Sequence, residues 1–148
     1  AVPRISALRA SVITRMKYRL SEALGQRALV AVRPTVIVSD LCEPEPDLGV
    51  FAWKNDFYRS ATPRSSDVIA LIETGDAEPA FCRDRKLPTY SEAHIPECWI
   101  VDLVLRHIEV YRRDGCAGFG APIMRSGGEP ITLSAFSEVM FTVDELLG

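Results

Sequence analysis

"DVIALIETGDAEPAFCRDRKLPTYSEAHIPECWIVDLVLRHIEVYR", residues 67–112, decides the fold. It opens on DVIALIE, an almost unbroken apolar run that ends in a carboxylate, Glu73. Such a run reads as a strand buried on both faces, because a strand with one wet face alternates apolar and polar side chains. Turn residues follow, Pro79 stands where a helix can begin, and a helical pattern interrupted by Pro88 predicts a kinked helix or two short ones. ECWIVDL and RHIEVYRR then read as strands. In the second, Ile108 and Val110 alternate with Glu109 and Tyr111, and the short connection between the two suits antiparallel pairing.

Upstream, EPEPDLGVF (43–51) sets three carboxylates and two prolines directly before a short apolar run. Asp47 therefore stands at the mouth of a strand, DLGVF. A charge there is costly unless something pairs with it, so this entrance is either a solvated turn or one half of a metal site. Further back, ISALRASVITRMKYRLSEALG places Ile5, Leu8, Val12, Met16, Leu20 and Leu24 at three- and four-residue steps, with Gly25 as a stop, which predicts an amphipathic helix. Its other faces carry Arg4, Arg9, Arg15, Lys17 and Arg19. They read as a solvated charged face, and no DNA contact is assigned to them. Between this helix and Asp47, ALVAV and TVIVS read as two strands separated by Arg33-Pro34. WKNDFYRSATPRSS (53–66) reads as a loop able to lie over a site. The C-terminal part holds a Gly-rich loop (CAGFGAP), a strand at EPITL, and a last short helix with Thr142 and Glu145 at capping-box spacing.

The 148 residues are expected to form one domain, 1–148. Apolar content of 47% with 25% charged residues is globular composition, and no apolar stretch approaches the length of a bilayer span. No basic segment followed by an apolar one opens the chain, so no secretory signal is read and a cytoplasmic location is expected. The four cysteines form no C-x-x-C, and His94 and His107 have no ligand-like spacing with them, which argues against zinc and for reduced thiols. A net charge of −3 excludes a protein that coats nucleic acid non-specifically, so any DNA contact has to be local.

Polar groups stand at specific stations along this order of elements: Asp47, Glu73 and Lys86. Two carboxylates on adjacent strands with a lysine nearby are what metal-assisted phosphodiester hydrolysis requires. Hard oxygen ligands hold Mg²⁺, the ion polarises the phosphate and activates a water, and the ammonium orients that water or offsets developing charge. The same residues also admit a structural reading, in which Asp47 closes a turn and Glu73 pairs with Lys86 or Arg83.

EPEPDL followed by the 67–112 run resembles the Uma-two family of restriction endonucleases, within the PD-(D/E)XK nuclease superfamily. There a Pro-Asp pair begins one strand, a Glu ends the next, a Lys-x-x-x-Tyr helix follows, and I-P-E-Y-W-I-V-D comes after. The resemblance implies an α/β restriction-endonuclease-like fold: a central mixed sheet flanked by helices, with additional C-terminal strands. It implies Asp47, Glu73 and Lys86 as catalytic residues. The metal, Mg²⁺ or Mn²⁺, would be held by Asp47, Glu73 and the backbone carbonyl of Thr74. DNA is the implied substrate and a homodimer the implied assembly; with a net charge of −3, DNA has to be drawn in by a local group such as Arg59, Arg64, Arg83, Arg85 and Lys86. Glu43 matches an acidic position of part of the family. Tyr90, Glu97, Trp99 and Asp102 match the rest of the signature, for packing or for chemistry. The departures are Glu73-Thr74-Gly75 in place of Glu-Val-Ser, Cys82 in place of an Asp four residues before the lysine, Cys98 in place of Tyr, and Val32-Arg33 in place of Gln-Asn. They leave a second reading open, a catalytically degenerate member acting as a binding or assembly module.

Overall fold

The computed structural model describes residues 5–40, 42–75 and 82–148. Helix α1 (Ala7–Leu24) is capped by Ser6, whose hydroxyl accepts from the Arg9 N–H at 3.1 Å. Strands β1 (Ala28–Val32), β2 (Leu48–Ala52) and β3 (Val68–Gly75) follow. A single π-helical turn (Cys82–Lys86) leads directly into α2 (Leu87–Glu92), with Pro88 in its first turn. There the proline costs no intrahelical hydrogen bond. Then come β4 (Glu97–Asp102), β5 (His107–Arg112), β6 (Ile123–Ser126), β7 (Pro130–Ile131), β8 (Phe141–Thr142) and α3 (Val143–Leu147). The reciprocal Thr142 and Glu145 capping box is present at the start of α3.

Six strands form one sheet in sequence order, antiparallel throughout except for the parallel pair β3–β4, while β7 and β8 form a separate two-stranded sheet. This is the expected mixed sheet flanked by helices with added C-terminal strands. Among the described residues of the six-stranded sheet, the β3–β4 crossover is the connection that carries an α-helix, because parallel neighbours need a long connection whereas antiparallel ones accept a tight turn. One face of the sheet packs on Val12, Ile13, Met16, Leu20 and Leu24 of α1 together with α3, and the other on Tyr90 and Ile95. Cover on both faces accounts for the apolar reading of β3. No described helix is long and apolar enough to cross a membrane.

Three expectations change. TVIVS is not a strand: Ile37 and Ser39 make only isolated bridges. Arg33 takes a left-handed φ of 48° and Pro34 has no N–H, so the chain leaves the sheet edge and bonds locally, Val38 N–H to the Cys42 carbonyl. On α1, Leu8 is 53% exposed, and the buried stripe is rotated toward Ile13. The 53–66 loop folds back on β2, where Tyr58 packs at a tilt against Phe51, and Arg64 bridges to Ile37 in the segment between β1 and β2. The helix start expected at Pro79 lies outside the described residues, as does the side chain of Cys82. Among the described residues, no disulfide joins Cys42, Cys98 and Cys116, and the Cys98 thiol faces the Trp99 carbonyl at 3.9 Å.

Candidate active site

The antiparallel pairing of β2 with β3 places Asp47, the residue before β2, beside Glu73 near the end of β3. The backbone N–H of Asp47 points at Glu73 Oε1 across 3.4 Å. Neither carboxylate is exposed: Asp47 retains 4% of its surface and Glu73 1%. This burial corrects the solvated-turn reading of the strand entrance. Burial of Asp47 is possible because both its oxygens accept hydrogen bonds, from Arg9 and Thr74.

Glu73 accepts from the Tyr90 hydroxyl at 2.6 Å on one oxygen and from Lys86 Nζ at 2.9 Å on the other. Lys86 and Tyr90 lie four residues apart across the junction of the π turn and α2, so both reach the same carboxylate. Burial pushes the Glu73 carboxyl above the usual carboxylate range. The Lys86 charge and the Tyr90 hydrogen bond oppose that shift, and the Asp47 charge adds to it. Tyr90 is driven far up by its own burial and by the Glu73 charge, so it remains a hydrogen-bond donor at any physiological pH.

Asp47 Oδ2 accepts from the Thr74 N–H at 2.7 Å and the Thr74 hydroxyl at 2.8 Å. Arg9, from the first turn of α1, completes the arrangement. Its Nη2 straddles both Asp47 oxygens at 2.9 and 3.0 Å, and its Nε donates to the Thr74 hydroxyl at 2.9 Å. Reading the sequence missed Arg9, which had been assigned to a solvated face. The signal was available in the spacing: Arg9, Ile13, Met16 and Leu20 run at steps of four, three and four, so Arg9 extends the buried stripe by one turn.

The π turn makes a second attachment to the same sheet face. Arg83 grips Glu109 on β5, Nε to Oε1 and Nη2 to Oε2, each at 2.7 Å, and the Tyr111 hydroxyl adds a bond of 2.7 Å. Burial alone would raise the Glu109 carboxyl, but the hydrogen bonds from Arg83 and Tyr111 and the charge of Arg83 outweigh it, so its pKa is lowered. Arg83 and Lys86 thereby fasten one turn to β5 and β3, on either side of β4. That fixes where Lys86 can point.

The other signature residues divide by role. Tyr90 belongs to the Glu73 network. Glu97 accepts from Trp99 Nε1 and from the Ser134 N–H, each at 2.7 Å, and is structural. Asp102 caps the β4–β5 turn through the N–H groups of Val104 and Leu105. Glu43 is exposed, as are Arg59, Arg64 and Arg85, whereas Arg83 and Lys86 are engaged in ion pairs. Among the described residues, no group of three or more His, Cys, Asp or Glu is placed to hold a metal.

The donor chemistry of the pair nevertheless fits a hard divalent cation. Both are carboxylates, and an ionised carboxylate has about four lone-pair directions. Asp47 Oδ1 and Glu73 Oε2 each accept one bond in this network, from Arg9 and from Tyr90. The obstacle is charge, because Arg9 and Lys86 already offset the two carboxylates.

A mixed sheet with a parallel central crossover, two acidic groups at the ends of paired strands and a lysine supplied by the crossover is a restriction-endonuclease-like arrangement. The chain belongs to the Uma2 family, described as "Putative restriction endonuclease", whose model matches residues 3–144. Among solved structures it is similar to the crystal structure of "a putative nuclease belonging to DUF820" from Anabaena variabilis. The TM-score is 0.74 at 12% identity, covering 98% of this chain and 83% of that one. At that identity the likeness concerns the fold. No curated protein matches the chain.

Proposed function

We propose that this protein is a divalent-metal-dependent endonuclease that hydrolyses DNA phosphodiester bonds. The observation that carries the reading is that Glu73 Oε1 lies 3.4 Å from the backbone N–H of Asp47 and accepts from Lys86 Nζ at 2.9 Å. Asp47, Glu73 and the backbone carbonyl of Thr74 would hold Mg²⁺ or Mn²⁺, which supplies charge to offset the phosphate and a more acidic bound water. The chain's own residues do the positioning. Thr74 holds Asp47 Oδ2 through two donors, Tyr90 holds Glu73 Oε2, and the π turn presents Lys86 to the reacting phosphate. Arg59, Arg64 and Arg85 are exposed and available to the DNA backbone. A dimer belongs to the same reading.

The test incubates supercoiled and linear DNA with the protein and Mn²⁺, beside Asp47→Ala and Glu73→Ala and an EDTA lane. Cleavage lost in all three controls supports the assignment, and cleavage that survives them refutes it. Lys86→Ala should cut activity at least ~100-fold, the usual effect of removing one catalytic charge or donor. Its melting temperature should stay within a few degrees of the parent, because Lys86 already reaches solvent and its loss leaves Glu73 bonded to Tyr90. A Lys86→Ala protein that cleaves as fast as the parent removes the lysine from the mechanism.

One observation favours the second reading, a binding or assembly module without turnover. Among the described residues, each carboxylate of the pair already has a basic partner with no metal present. Calorimetry separates the two readings, because the module binds neither Mg²⁺ nor Mn²⁺ at Asp47.

A further inference from the structure

The charge count around Asp47 and Glu73 restricts how a cation can enter. Two carboxylates face two cationic side chains, Arg9 and Lys86, in a place where the carboxylates have almost no contact with water. Among the described residues, a divalent ion added while both stay seated would crowd positive charge against the two carboxylates it needs, which is unfavourable. One of the side chains has to leave.

The hydrogen bonds identify which. If Lys86 withdrew, Glu73 Oε1 would keep, among the described residues, the long contact from the Asp47 N–H at 3.4 Å. If Arg9 withdrew, Asp47 would not move. Its Oδ2 stays on the Thr74 N–H and hydroxyl, while Oδ1, whose bond in this network comes from Arg9, is uncovered toward the cation. Arg9 also has somewhere to go. Its side chain is 28% exposed and it sits on the first turn of α1, at the end of the helix.

We propose that Arg9 is an exchangeable counter-ion: it clamps Asp47 in the metal-free protein, and divalent metal binds only by displacing it. This rests on the metal site proposed above and adds to it a residue that sets the affinity of that site. The consequence has an unusual sign. A residue that merely orients a metal ligand weakens metal binding when it is removed, whereas a competitor strengthens it.

Mn²⁺ binding is measured by calorimetry and by electron paramagnetic resonance on the parent, Arg9→Met and Arg9→Lys, each checked for folding by circular dichroism. Methionine keeps an unbranched apolar stem and loses the charge. Arg9→Met should bind Mn²⁺ at least about tenfold more tightly than the parent, since a charge-assisted bidentate contact no longer competes. Arg9→Lys, which keeps a charge without the straddling geometry, should fall between them, and it tests the same idea if Arg9→Met does not fold. Equal or weaker binding in a folded variant, with binding still abolished by Asp47→Asn, overturns the exchange while leaving the metal site intact. Absence of Mn²⁺ binding in the parent and in both folded variants rejects the metal site itself, and the exchange with it.

Discussion

Glu73→Gln should give a protein that folds at least as stably as the parent and cleaves DNA roughly 10³-fold more slowly or worse, the scale expected when a metal-holding charge is removed. The two effects have one cause. Glu73 is 1% exposed, and burial raises its pKa even though Lys86 and Tyr90 favour the charged form. The native state therefore holds on to a proton that the unfolded state releases. A raised native pKa means that the stability contributed by this group is fully present below its unfolded value of about 4.3 and is lost as pH rises through the native value. Glutamine has nothing to lose in that window. Its carbonyl can accept from Tyr90 as the carboxylate does, and Lys86 can turn to water. The melting temperature of Glu73→Gln relative to the parent should thus grow more favourable from about pH 4 toward neutrality. Melts at matched ionic strength check the slope. A variant that loses stability relative to the parent as pH rises would show that Glu73 is held as a stabilising charge and not at a cost.

Glu97→Ala should have the opposite profile, a large loss of stability with no direct effect on Asp47 and Glu73. Glu97 is buried at the start of β4, and its two oxygens take the Trp99 indole N–H and the Ser134 backbone N–H. It thereby ties the central sheet to the segment leading to β8 and α3. Arg112 Nε lies 3.5 Å away, without a hydrogen-bond partner of its own. Removing the carboxylate leaves two donors without an acceptor and a guanidinium without its counter-charge, which should cost ~3 kcal/mol and lower the melting temperature by roughly 10 °C. Glu97→Gln keeps both acceptor positions available by rotation and should lose about a third of that. Urea titrations of the three proteins measure the difference. A Glu97→Ala protein as stable as the parent would contradict the tie between β4 and the C-terminal segment.

Much of this arrangement was legible in the residues. The apolar run before Glu73 could only be a strand covered on both faces, and Pro88 marked the place where a π turn hands over to α2. Lys86 and Tyr90 fell at a spacing that brings both to one carboxylate. What escaped notice was long-range. Nothing within a few residues of Arg9 shows that it reaches Asp47, 38 positions on, and an arginine on a helix looks the same in sequence whether it meets water or a buried acid. TVIVS was misread for a related reason: β-branched residues favour extended chain, but Arg33 and Pro34 had already turned that chain out of the sheet. Strand β6, only four residues long and largely exposed, lacks the alternation that would announce it.

The central claim is that Asp47 and Glu73 together hold a divalent cation. Anomalous diffraction from a crystal soaked in Mn²⁺ tests it most directly. The account predicts a peak bonded to both carboxylates at about 2.0–2.2 Å, with the Arg9 guanidinium withdrawn from Asp47. No peak at that position in a soaked crystal, with Arg9 still astride Asp47, would contradict it.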